Sequence, residues 1–103
     1  MPPKGSMRKR YNNMNSRAEQ VLEHLNNYTH YYRDKWDCPF DICQQGIADM
    51  LGVVRSNVAR YLLDLEAEGL IESQVKHILN LPRKRKAYFI TPKGREVLAD
   101  MKS

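Results

Sequence analysis

The sequence predicts a mainly helical domain with a small β-hairpin, its elements in the order helix, helix, helix, strand, strand, helix. Three observations carry this. Apolar residues recur at three- and four-residue spacing in separate segments, the pattern of one buried face on an α-helix. Two segments rich in branched and aromatic residues, LIESQVKHIL and KAYFIT, flank a proline-containing stretch and read as paired strands. The chain has 103 residues, 42% of them hydrophobic, which suits one modest core and therefore one domain.

Each element has its own signals. Residues 1–15, MPPKGSMRKRYNNMN, are polar and basic, with Lys4, Arg8, Lys9 and Arg10 and almost no aliphatic side chain. They are expected to form a disordered basic tail, leaving residues 16–103 as the folded domain. The first helix starts at Ser16, where SRAE can form a capping box between Ser16 and Glu19. Ala18, Val21, Leu22, Leu25, Tyr28 and Tyr32 make one stripe. The helix is expected to end near Asp34–Trp36, because Pro39 disfavours helix at Cys38. FDICQQGIADMLG reads as the second helix, with Ile47, Met50 and Leu51 inward and Gly52 at the left-handed C-terminal position. The third runs from Arg55 to about Glu68 around Val58, Leu62 and Leu65, with Tyr61 beside them and Gly69 ending it. TPKGREVLADM closes the domain: Thr91 caps, Pro92 takes the first helical position, and Val97, Leu98 and Met101 turn inward.

Charge and composition narrow the function. The net charge of +5 and a pI near 9.4 favour an anionic partner such as nucleic acid or a membrane surface. No apolar run approaches membrane-spanning length and the N-terminus has no apolar signal core, so a cytoplasmic, nucleoid-associated protein is expected. Cys38 and Cys43 are too few for a disulfide framework, and His24, His30 and His77 show no paired spacing; neither a metal nor a cofactor is expected. The sequence has no nucleophile–base pattern, phosphate-cradling glycine loop or evident small-molecule site, so it does not read as an enzyme.

The second and third helices carry the functional signal. Ala48 is small enough to let the third helix cross the second closely. Gly52 permits the sharp turn, and Val58 fills the angle between the two helices. This is helix-turn-helix chemistry, with the third helix free to enter a major groove. GIADMLGVVRSNVARYLLDLEAEGLI followed by RKRKAYFITPKGREVL resembles the MarR-like group of winged-helix DNA-binding domains. It is especially similar to archaeal winged helix-turn-helix regulators with a basic wing and a YFxTPxGR ending. The resemblance covers residues 16–102. It implies duplex DNA binding, with the third helix in the major groove and the hairpin wing on the backbone or minor groove. Members often place Ser or Thr where this chain has Cys43 and Val54, the N-caps of helices two and three. Ser56 is an alternative cap that would shorten the third helix by about one half-turn.

The candidate site follows. Arg83, Lys84, Arg85 and Lys86 stand side by side, expected at the tip of a wing spanning about 79–87, where phosphates would neutralise them. Arg55, Ser56, Asn57 and Arg60 project from the third helix; Arg60 suits a guanine edge and Asn57 an adenine edge or a phosphate. Asp64, Glu66 and Glu68 would meet phosphates badly, so only the first two turns are expected in the groove. Gln44 and Gln45, starting helix two, are placed to donate to a phosphate. Tyr28, Tyr31, Tyr32 and Trp36, with Leu98 and Met101 near the chain end, offer more apolar surface than so small a domain readily hides. They are the expected homodimer interface, which would set two third helices about one helical turn of DNA apart. The whole reads as a sequence-specific duplex DNA-binding transcriptional regulator. The alternatives are a protein-interaction subunit of a larger assembly and an RNA-binding winged helix.

Overall fold

A computed structural model describes residues 16–28 and 37–102, the Ser16 side chain excepted. The expected tail, the Ser16–Glu19 capping box, Tyr31, Tyr32 and Trp36 lie outside the described residues. Helices α1 (Ser16–Asn26), α2 (Gln44–Leu51), α3 (Arg55–Ala67) and α4 (Pro92–Lys102) pack with strands β1 (Asp37–Cys38), β2 (Ile71–Ile78) and β3 (Lys84–Ile90). A 3₁₀ turn, Phe40–Ile42, precedes α2.

The expected order holds, with one addition. β1 was not foreseen; it pairs in parallel with the end of β2, Asp37 beside His77 and Cys38 beside Ile78. Two residues are too few to show a period, so no local pattern marks them. β2 and β3 form the antiparallel hairpin, in register from Ile71 opposite Ile90 to His77 opposite Lys84. The sheet order is β1-β2-β3.

Helix boundaries differ from expectation in two places. α1 ends at Asn26, where the amides of Asn27 and Tyr28 bond to carbonyls three residues back, of His24 and Leu25. Asn26 and Asn27 are poor helix residues, and the aromatic stripe beyond them masked the stop. The second helical segment is split: Cys43 is extended (φ −87°, ψ 167°), bridges to Ala87, and separates the 3₁₀ turn from α2. Cys43 is the N-cap of α2 and Val54 that of α3, each without a side-chain capping bond. Ser56 does not cap; it is the second residue of α3, and the helix keeps its full length.

The core is one cluster. Ala18, Val21, Leu22 and Leu25 of α1 meet Ile47 and Ala48 of α2 and Val58, Leu62 and Leu65 of α3. Met50, expected inward, is 45% exposed. The buried residues of α2 are Gly46, Ile47 and Ala48; the 3₁₀ turn covers the flank at Gly46, and Met50, one turn further on along that flank, is left open. Gly52 has φ 70°, and its amide bonds back to Ala48 and Asp49, the left-handed stop that lets α3 turn across α2. At the far end of the hairpin Asn80 takes φ 69°, a conformation asparagine tolerates.

Thr91 joins the hairpin to α4. Its hydroxyl accepts from the Gly94 amide at 3.0 Å and donates to the Gly69 carbonyl at 2.7 Å. One side chain thus caps α4 and closes the turn after α3. Thr91→Ala is expected to lower unfolding stability by about 1–2 kcal/mol, measurable by urea titration; Thr91→Ser should recover most of it.

Candidate functional site

The basic hairpin is built differently from the expected charged tip. Only Arg83 lies in the turn; Lys84, Arg85 and Lys86 belong to β3 and pair with His77, Lys76 and Val75. The hairpin register extends the ladder to Lys84, because the apolar run Ala87–Ile90 is anchored in the core and carries the strand outward. Alternation then divides the cations. Lys84 and Lys86 share a face with Tyr88, while Arg85 points the other way, directly opposite Lys76.

Tyr88 shows which face is turned toward α3. Arg55 and Glu66, from the two ends of that helix, both act on its phenol. Ser73, cross-strand from Tyr88, donates its hydroxyl to Glu66 at 2.9 Å. Burial holds the Tyr88 phenol above the ordinary tyrosine value, with the Glu66 carboxylate adding to this and Arg55 opposing it. Tyr88 is therefore neutral at physiological pH, an uncharged pillar between helix and wing.

An open groove of about 360 Å³ lies between the start of α2, the start of α3 and the wing. Cys43, Gln44, Gln45, Arg55 and the whole of Arg83–Lys86 line it. Seven of the residues expected at the site are thus brought together. Gln44 donates to the Arg55 carbonyl at 3.3 Å, which ties the two helix starts, and Gln45 donates to Asp49 at 2.9 Å. Both amides have protein partners, so neither glutamine is held ready for a phosphate alone. Ser56, Asn57 and Arg60 are exposed on α3 beside the groove.

Sequence reading missed one residue of the groove wall, Cys43, and one cation on the far face of the wing, Lys76. Cys43 enters the groove wall because the bridge to Ala87 draws the start of α2 against β3. Lys76 adds a cation beside Arg85. It is only 8% exposed, and it acts on the buried Cys38, whose thiol burial pushes up while Lys76 pulls it back. The period of two along β2, with Lys76 in step with Ile78, was the available signal for it.

Among the described residues of the expected interface, Tyr28, Leu98 and Met101, less apolar surface is open than the sequence suggested. The Tyr28 hydroxyl donates to the Asp41 carboxylate at 2.5 Å, which fixes that ring against its own domain. Leu98 is 4% exposed and buried by its own chain, and Met101 is half-buried against the core. Leu98 therefore offers no surface to a second copy in this fold. A Lys102–Glu23 pair at 2.6 Å joins the end of α4 to α1; the hydrogen bond to Glu23 raises the Lys102 ammonium above its ordinary value.

The profile of a family described as the Crp-like helix-turn-helix domain matches residues 18–86. No curated protein sequence matches the chain. Among solved structures, a MepR mutant from a multidrug-resistant S. aureus clinical isolate superposes with a TM-score of 0.66 at 19% identity, over 85% of this chain and 54% of that one. A MarR-family transcriptional regulator from Rhodococcus gives 0.62 at 23% identity, over 85% and 52%. The complex of S. aureus MepR with DNA gives 0.67 at 20% identity, over 97% and 65%. The chain spans about half the length of the first two. At these identities the likeness is one of fold, and the fold is the winged helix.

Proposed function

The chain belongs to the Crp-like helix-turn-helix domain family, and on that premise we propose that it is a transcriptional regulator that binds duplex DNA. α3 enters the major groove and the β2–β3 wing lies along the backbone or minor groove. The observation that carries this is the groove itself: Arg55 and the wing residues Arg83–Lys86 line it beside the exposed Ser56, Asn57 and Arg60, with Lys84 and Lys86 on the strand face turned toward α3. A row of phosphates along that groove would neutralise cations that otherwise repel one another. The neighbour solved as a complex with DNA shares the fold over nearly the whole of this chain, which supports the same use of α3. Two copies paired through the α1 and α4 ends would present two such helices, and the basic segment 1–15 would add a second electrostatic arm. Such a protein works in the cytoplasm, at the nucleoid, and binds rather than transforms its partner. Among the described residues no helix is long and apolar enough to cross a membrane.

Selection from random duplexes, followed by competition with duplex RNA and single strands, tests the reading. The expected result is a recovered consensus, preference for duplex DNA, and a linear fall of log K with log salt of about 0.9 per phosphate contact. Equal competition by duplex RNA would assign the wing to RNA shape instead, and no enrichment with no salt dependence would turn the reading toward a protein-interaction subunit.

A further inference from the structure

Resting on the duplex-binding reading, we infer that Leu63 is a further specificity-determining residue, and that it reads the C5-methyl group of a thymine in the major groove. Leu63 is 65% exposed on α3. A single exposed leucine is ordinary on a protein surface. This one is distinguished by its place. At about 100° per residue, Ser56, Arg60 and Leu63 fall within about 60° of one another, so Leu63 shares the open face of the helix with Arg60, which suits a guanine edge, and with Ser56. Its other neighbour around the helix is Glu66, which is tied to Ser73 and so marks the side turned toward the wing. On that wing Val75 follows Ser73 on the same strand face and is 62% exposed, opposite Lys86. Leu63 and Val75 therefore border the space between α3 and the wing from its two sides.

The surroundings select the occupant. Arg55, Lys84 and Lys86 line the groove at this space, and two apolar side chains beside three cations make a poor core for a protein interface, where lysine is depleted. A polyanion fits the rim. Within a duplex major groove the one apolar feature of the base edges is the thymine C5-methyl, and leucine can contact it but can neither donate to nor accept from any other base edge. The acidic residues do not prevent a third helical turn from entering. Glu66 faces the hairpin, and Asp64 lies about 100° round the helix from Leu63, away from the wing. Contact with DNA thus reaches one turn beyond the two that charge alone suggests.

The test uses the full chain and a duplex chosen by selection. Thymines are replaced one at a time by 2′-deoxyuridine, which removes only the methyl group. At one position per α3 helix, wild-type affinity should fall about three- to fivefold, the scale of one buried methyl group. Leu63→Ala should bind the thymine duplex weaker by a similar factor, bind random duplex as the wild type does, and be indifferent to uridine at that position. Its melting temperature should be unchanged, because the side chain is exposed. The inference is overturned if no uridine weakens the wild type, or if Leu63→Ala still distinguishes thymine from uridine at the sensitive position. A wild-type chain that binds no duplex at all overturns the duplex-binding reading as well, so the two failures are told apart by the first titration.

Discussion

Replacing Arg83, Lys84, Arg85 and Lys86 together by alanine should weaken binding to duplex DNA by about two to three orders of magnitude at low salt. Each charge-assisted contact to a phosphate contributes on the order of 1 kcal/mol net, and all four residues border the same groove, Lys84 and Lys86 from one face of β3 and Arg85 from the other. The loss should be nearly the same for a selected site and for random sequence, because phosphates carry no base information. The salt slope should fall by about three to four per chain. Stability should hold or rise slightly. Arg85 stands directly opposite Lys76 in the ladder, a like-charge pair that destabilises a hairpin. Fluorescence anisotropy across a salt series, with thermal melting on the same samples, checks both parts. A variant that lost its choice of site while keeping affinity for random DNA would show that the wing reads bases.

Gly46→Ala should destabilise the domain by about 3 kcal/mol or more. Two opposed effects act at this position. Alanine in a helix is favoured over glycine by about 1 kcal/mol, and α2 would gain that. A Cβ at Gly46, however, would lie 2.0 Å from the Phe40 carbonyl oxygen and 2.9 Å from the Asp41 Cα. Both are backbone atoms of the 3₁₀ turn, which cannot swing aside as a side chain would. That turn is held by the Cys43 bridge to Ala87 and by the His24 bond to the Asp41 carbonyl at 2.8 Å. Overpacking therefore outweighs propensity. The melting temperature should drop by roughly 15 °C for a domain of this size. DNA affinity measured well below the transition should fall too, since Gln44 stands on the element that must shift and is bonded to the Arg55 carbonyl at the start of α3. An unchanged or raised melting temperature would show that the 3₁₀ turn yields freely.

Much of the fold was legible because its signals are local. The stripe Val58, Leu62, Leu65 marked α3, Gly52 marked the turn, and Thr91-Pro92 marked the start of α4; each is fixed by residues within a turn or two of one another. Errors arose where a local pattern continued past a stop that other contacts impose. The aromatic stripe ran on beyond Asn26, and Met50 matched a helical period whose buried face was set by the elements it packs against. Leu98 looked uncovered because it lies near the chain end, yet α1 packs against α4 and Leu98 joins the common core.

The candidate site divides in the same way. Its cations, and the helix that carries Ser56, Asn57 and Arg60, were determined by the sequence itself, since charge and helical period need no long-range contact to be read. Which of them share a groove was decided only by tertiary structure. The strand register, with Lys84 opposite His77, sorts the basic run onto two faces of β3. The bridge from Cys43 to Ala87 sets the start of α2 against the wing. The pairing of β1 with β2, reinforced by the Asp37–His77 contact across 40 residues of chain, anchors the outer end of the hairpin. Such pairings are chosen by the packing of the whole core, because a strand slipped by one residue would turn every side chain to its opposite face, and no short stretch of sequence specifies that choice.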